Sequence, residues 1–206
     1  MASAPGWRPL IVGIGGTVRS PSSSERVLTA ALAAAEAAGA RTQLFGGEIL
    51  SRLPIYNPTD ADHPPERSAL VEAVRNADGV IVATPGYHGS LSGLIKNALD
   101  SLEPLSGDAR PYLDGRAVGC IVVADGWQAS GSALASLRAI VHALRGWPTP
   151  LGATVNSALK PFDEAGALKE PRDIWQVETV ARQVVAFARA FGPPPAWGAF
   201  RPRSVR

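Results

Sequence analysis

Apolar residues in this chain fall into two kinds of pattern. Continuous apolar runs of strand length occur at residues 10–12, 79–84 and 117–124, as expected of parallel strands that helices cover on both faces. Between them, apolar residues recur at helical spacing. Val27, Leu28, Ala31, Leu32 and Ala35 mark a helix that stops at Gly39, and Leu70, Val71 and Val74 mark one over about residues 65–76. Leu94, Ile95, Ala98, Leu99 and Leu102 mark a third, ended by Pro104. A fourth spans residues 130–145, with Leu134, Leu137, Val141 and Leu144 spaced to serve a core face or a coiled-coil seam. The last, about residues 172–191, turns Val177, Val180, Val184 and Phe187 or Ala188 inward.

Residues 42–45 read as a short second strand and residues 152–155 as a weak fifth. Residues 48–65 carry Pro54, Pro58, Pro64 and Pro65, too broken for a regular element and long enough to border a site or subunit contact. Five strands alternating with five helices predict one doubly wound α/β domain over residues 1–206, with a proline- and arginine-rich tail loosely held from about 192. Such sheets bind ligands beyond the carboxyl ends of their strands. Three unusual loops leave those ends, at 13–24, 85–93 and 125–131, and are expected to meet.

The first loop, G-I-G-G-T-V-R-S-P-S-S-S, runs from a strand into a helix N-terminus. Unsatisfied N–H groups and the helix dipole favour an anion there. Thr17, Ser20, Ser22, Ser23 and Ser24 add hydroxyls, and Arg19 adds a planar fork of donors. One serine would be explained by helix capping alone; five hydroxyls and an arginine point to a phosphate.

Composition changes this picture little. With 206 residues, 46% hydrophobic and 18% charged, the chain has the makeup of a globular protein. The formal charge of +2 owes much to Arg201, Arg203 and Arg206, so nothing suggests a nucleic-acid surface. No apolar run is long enough to span a membrane and the start lacks a secretory pattern, so a cytoplasmic setting is expected. Cys120 sits in a buried strand pattern, and His63, His88 and His142 are too scattered to hold a metal.

The dinucleotide fingerprint fails because position 18 is valine, and no acid closes the second strand. No Gly-Lys-Ser/Thr follows the loop, and residues 89–93 read G-S-L-S-G, with leucine where a nucleophile would stand. What remains resembles the NADPH-dependent FMN reductase family. The resemblance rests on G-T-V-R-S-P-S-S-S at 16–24 and T-P-G-Y-H-G-S-L-S-G-L-I-K-N-A-L-D at 84–100, supported by L-P-I-Y-N-P at 53–58.

That resemblance implies a flavodoxin-like five-stranded sheet of order 2-1-3-4-5 and noncovalent FMN. Thr17, Arg19, Ser22 and Ser24 would take its phosphate, Pro85, Tyr87, His88, Gly89 and Ser90 would wrap the ring system, and Asp125, Gly126 and Trp127 would form a third wall. The chemistry would belong to the flavin, with NADPH or NADH as hydride donor and no catalytic side chain required. This chain departs from the family's pattern at Gly86 and His88, where glutamate and asparagine are usual. Tyr87 suits a flavin contact or a packed loop anchor, Lys96 and Asn97 match the family's pattern but also suit a purely structural role on their helix, and Trp127 suits an acceptor pocket or a subunit interface.

The leading function implied is an NAD(P)H-dependent FMN reductase, with a flavin-dependent monooxygenase as one consumer of reduced flavin. A quinone or azo reductase for small aromatic acceptors is the alternative, and a flavodoxin-like electron carrier a third. The resemblance also implies a homodimer or homotetramer.

Overall fold

The computed structural model describes residues 6–59 and 64–192. The chain begins with β1 (Leu10–Gly15), α1 (Ser23–Ala37) and β2 (Arg41–Phe45), followed by α2 (Gly47–Leu50) and α3 (Pro65–Asn76). The middle comprises β3 (Gly79–Tyr87), β4 (Ser90–Leu91), α4 (Gly93–Asp100) and β5 (Ala117–Ala124). Last come α5 (Trp127–Ala143), β6 (Trp147–Pro148), β7 (Ala153–Asn156) and α6 (Pro171–Phe191).

The sheet runs β2-β1-β3-β5, and β6 and β7 share the free edge of β5. All of these pairings are parallel. Counting the split edge as one strand gives the flavodoxin-like order 2-1-3-4-5, because β4 is only a hairpin appended to β3. Successive strand residues point to opposite faces. Ile11, Ile81 and Ile121 therefore pack under α1 and α6, while Val12, Val80, Val82 and Cys120 pack with residues of α3, α4 and α5. Both faces are covered, which is why these strands read as unbroken apolar runs.

Several expectations change. The connection after β2 contains a turn of helix, α2, whose first N–H donates to Glu25 Oε2 at 2.8 Å. A carboxylate from α1 caps it, a long-range partner that local composition does not reveal. β3 continues past residue 84 to Tyr87 and folds back through His88 (φ 50°) and Gly89 (φ 88°). Two consecutive positive φ values make the tight turn that joins twisted antiparallel strands. α5 starts at Trp127 rather than 130, and its expected seam lies against the sheet: Leu137 and Val141 are buried, with Leu134 and Leu144 packed on the same core. The third helix ends at Asp100, with Pro104 in a separate 3-10 turn. The fifth strand is divided by Thr149, whose hydroxyl donates to Leu151 O at 2.8 Å. The tail expected to be loosely held from about 192, and His63, lie outside the described residues.

At the amino ends of the strands, far from the predicted site, a polar cluster ties elements together. Asp78 Oδ2 accepts from Leu10 N at 2.8 Å. The buried Arg116 guanidinium donates to the carbonyls of Arg75, Ala77 and Tyr112 at 2.8, 3.0 and 3.0 Å, satisfying acceptors around the end of α3. Burial pushes Arg116 down to about 9. No helix among the described residues is long and apolar enough to cross a membrane.

Candidate functional site

A cleft of about 390 Å³ opens beyond the carboxyl ends of β1, β3 and β5. Four segments line it: residues of the 17–24 loop, Pro85 to Tyr87, Val123 to Asp125, and Ser157 after β7. Thus the three loops singled out in the sequence do converge. The fourth was missed, because a lone serine after a weak edge strand carries no distinguishing pattern.

The first wall is built by helix α1 and its approach. Gly16, at φ +122°, turns the chain out of β1. Thr17 Oγ1 donates to Arg19 O at 2.9 Å and accepts from Arg19 N at 3.2 Å, folding residues 17–19 into a tight local turn. Ser22 is the N-cap, accepting from Glu25 N at 3.3 Å, and its hydroxyl lies 3.1 Å from that of the buried Ser24. Capping therefore accounts for Ser22 in part, although Ser22 also lines the cleft. The N–H groups of Ser23 and Ser24 stand in the first turn, where no preceding helical carbonyl exists to accept them. Arg19 lines the cleft, and no side-chain hydrogen bond or ion pair engages its guanidinium among the described residues.

The floor beneath this loop is α2. Gly47 lies so close to the loop that a β-carbon added to it would stand 2.0 Å from Thr17 O. Glu25 passes under Gly16 and Gly46 to reach Gly47 N. Sequence reasoning missed both residues. Ser22-x-x-Glu25 has capping-box spacing, a signal that could have identified Glu25, but here its carboxylate serves α2 instead.

The second wall continues β3. Buried Thr84 accepts from Ser92 N at 3.1 Å, and Ser92 caps α4 by accepting from Ile95 N at 3.3 Å. The hairpin is thereby anchored to the helix that follows it. Tyr87 lines the cleft and is 53% exposed. A β-carbon at Gly86 would stand 2.8 Å from Ala124 Cβ and 3.4 Å from Ala129 O, so β5 and α5 close over Gly86 and leave little space for a side chain. Asn97 donates to Pro54 O at 3.0 Å and accepts from Tyr56 N at 2.7 Å, pinning the 54–56 segment. Lys96 pairs with Asp100 at 2.6 Å. Both have local structural roles.

Of the residues named from sequence, Thr17, Arg19, Ser22, Ser24, Pro85, Tyr87 and Asp125 line the cleft. His88 and Gly89 form the hairpin turn, Ser90 stands in β4, and Gly126 and Trp127 open α5; none of these five lines it. β3 runs three residues further than expected and α5 begins at once after Gly126, which sets where these five stand. Trp127 instead lies under Arg172, whose Cζ is 5.1 Å from the ring centre. Cys120 is buried within β5, where burial pushes its thiol up to about 12, far from a reactive state.

The donor set fits a phosphorylated flavin. Helix N–H groups, hydroxyls and a guanidinium gather at one end, and backbone from Pro85 to Tyr87 runs beside an opening of ligand size. The hydroxyls, N–H groups and guanidinium are donors that can hold an anion in place.

Comparison with known proteins gives the same reading. The family described as NADPH-dependent FMN reductase matches residues 9–159. The chain is 40% identical over 120 residues to the FMN-dependent NADPH-azoreductase of Staphylococcus aureus, covering 57% of this chain and 60% of that protein. It is 26% identical over 178 residues to the NADPH-dependent FMN reductase ArsH of Shigella flexneri, covering 86% and 68%. Matches to the first relatives span 53% to 72% of their lengths. Among solved structures, the flavoenzyme FerB of Paracoccus denitrificans superposes with a TM-score of 0.68 at 21% identity, covering 88% of this chain and 98% of that one.

Proposed function

Because the chain belongs to the NADPH-dependent FMN reductase family, a family of NAD(P)H-dependent oxidoreductases, we propose that it binds FMN in this cleft and passes hydride from NAD(P)H through it to an acceptor. The observation that carries this reading is the free Arg19 fork beside the first turn of α1, at one end of an opening of about 390 Å³. Arg19, Thr17, Ser24 and the Ser23 and Ser24 N–H groups would hold the phosphate. Asp125, an acceptor only, suits the polyol hydroxyls. The backbone of residues 85–87 offers polar groups to a ring edge, while Tyr87 supplies an apolar side and Gly86 leaves room for α5. His88, Gly89, Ser90, Gly126 and Trp127 would act from outside the cleft wall, toward the second substrate.

When bound, FMN supplies the redox chemistry, accepting hydride at N5 and releasing electrons onward. The protein's own task is to fix the phosphate and limit water along one face. Free flavin is the acceptor in the leading reading, with a monooxygenase as one consumer. Likeness to the staphylococcal azoreductase favours a second reading, reduction of small azo or quinone compounds. Steady-state turnover with each acceptor separates the two. A homodimer or homotetramer remains part of the proposal, testable by sedimentation.

Replacing Arg19 by alanine tests the site. Losing a charge-assisted contact to phosphate should weaken FMN binding roughly 10- to 100-fold, read by quenching of flavin fluorescence. Unchanged affinity would refute the assignment.

A further inference from the structure

Ser20 is the one hydroxyl of the 17–24 loop that does not line the cleft. It faces a second cavity of about 280 Å³ on the other side of the same loop. Ser20, Pro21 and Ser22 form one side, the last two also lining the first cleft, while Arg26 and Thr29 of α1 form the base and Gly166 closes the rim. The two cavities are neighbours that share Pro21 and Ser22.

The distinctive group here is Arg26. Its Cζ lies 5.5 Å from the centre of the Phe162 ring, a cation–π arrangement that restricts an otherwise mobile side chain. A β-carbon at Gly166 would approach Arg26 Cζ to 3.3 Å, so glycine leaves room for the guanidinium. The loop carrying Phe162 and Gly166 is itself a small hairpin. Phe162 bridges Leu168, Gly166 N donates to Asp163 O at 3.0 Å, and Ala167 N donates to Asp163 Oδ1 at 2.8 Å.

The carboxylates nearby have other work. Glu25 also lines this cavity, but its Oε2 accepts from Gly47 N on the far side of the loop, and Asp163 is engaged within its own turn. Arg26 makes no ion pair with any described residue. A positioned guanidinium with a neighbouring serine hydroxyl is a phosphate-binding combination.

We propose that this second cavity receives the 2′-phosphate of NADPH, and that Arg26 is the residue that discriminates NADPH from NADH. This rests on the proposed function: a nicotinamide in the first cleft requires the adenosine end of the dinucleotide to leave it, and Pro21 and Ser22 are the shared border. The two nicotinamide cofactors differ only in that phosphate. Thr29, whose hydroxyl donates to Glu25 O at 2.9 Å, lines the base without competing for it.

The test compares wild type with Arg26→Ala and Arg26→Lys. Titration calorimetry measures binding of 2′,5′-ADP and of 5′-AMP, steady-state assays give KM for NADPH and NADH, and flavin fluorescence gives FMN affinity. Arg26→Ala should weaken 2′,5′-ADP binding and raise the NADPH KM roughly 10- to 100-fold, leaving 5′-AMP binding, the NADH KM and FMN affinity within about twofold. Arg26→Lys, which keeps charge but loses the fork, should fall between. Equal effects on both nicotinamides, an unchanged preference, or loss of FMN in Arg26→Ala would overturn the proposal. A wild-type protein that binds 2′,5′-ADP but never FMN would refute the flavin reading and leave the phosphate cavity standing.

Discussion

Gly47→Ala tests whether α2 supports the phosphate loop. The added methyl would stand 2.0 Å from Thr17 O and 2.8 Å from both Thr17 C and Thr17 N, against an optimal separation of about 3.5–4.0 Å between nonbonded atoms. Those atoms are backbone, so no side-chain rotation relieves the overlap, and either α2 or the loop has to move. Overpacking of this kind costs about 1–3 kcal/mol. Moving α2 also breaks the bond from Gly47 N to Glu25 Oε2, worth about 1.5–3 kcal/mol for a charged acceptor. Together the loss is about 3–5 kcal/mol, which lowers Tm by on the order of 10 °C in a chain of this size. The assay pairs thermal unfolding with FMN titration, and Gly93→Ala is the control because nothing lies within 4 Å of its added methyl. The control should match wild type or gain slightly, while Gly47→Ala should lose stability and at least about tenfold in FMN affinity if the loop shifts. If Gly47→Ala melts and binds like the control, α2 does not support the loop.

Three further outcomes follow from the same structure. Arg116→Ala removes the donors of the carbonyls at residues 75, 77 and 112 and should cost about 3–5 kcal/mol in urea unfolding, with FMN affinity unchanged in the protein that remains folded. Cys120, with its thiol pushed up to about 12, should not react with a thiol reagent at neutral pH until the protein unfolds. Burial raises the Asp78 carboxyl above its ordinary value, outweighing its bond from Leu10 N and the nearby arginines. Its native state thus holds a proton more readily than the unfolded chain does, so its contribution is full at low pH and declines as pH rises through the interval between the two values. The stability advantage of wild type over Asp78→Asn should therefore be larger near about pH 3 than near about pH 6.

Residues 79–84 and 117–124 announced their strands because burial on both faces leaves Thr84 as their one polar side chain, and α3 was bounded by prolines at one end and lost periodicity at the other. Those features are local, and periodicity reports them. α2 depends on Glu25, 22 residues away; the extension of β3 depends on pairing Gly86 with Leu91 and Tyr87 with Ser90. Neither is written in the local pattern. The hydroxyls and Arg19 of the 17–24 loop were evident, yet their division between two cavities arises from the turn at Ser20 and Pro21 and from the loop bearing Phe162. The sequence resemblance named His88 and Trp127 among the wall residues; the turn at His88 follows from the positive φ there, and the contact of Trp127 with Arg172 joins residues 45 apart, so neither placement could be read from local pattern.

The most direct measurement is anaerobic titration of the purified protein with FMN, followed by addition of NADPH. Saturable binding of one flavin per chain, with the oxidised flavin absorbance bleached on NADPH addition, is the predicted result. A protein that stays colourless at saturating FMN, or that binds FMN while neither NADPH nor NADH reduces it, would contradict the account.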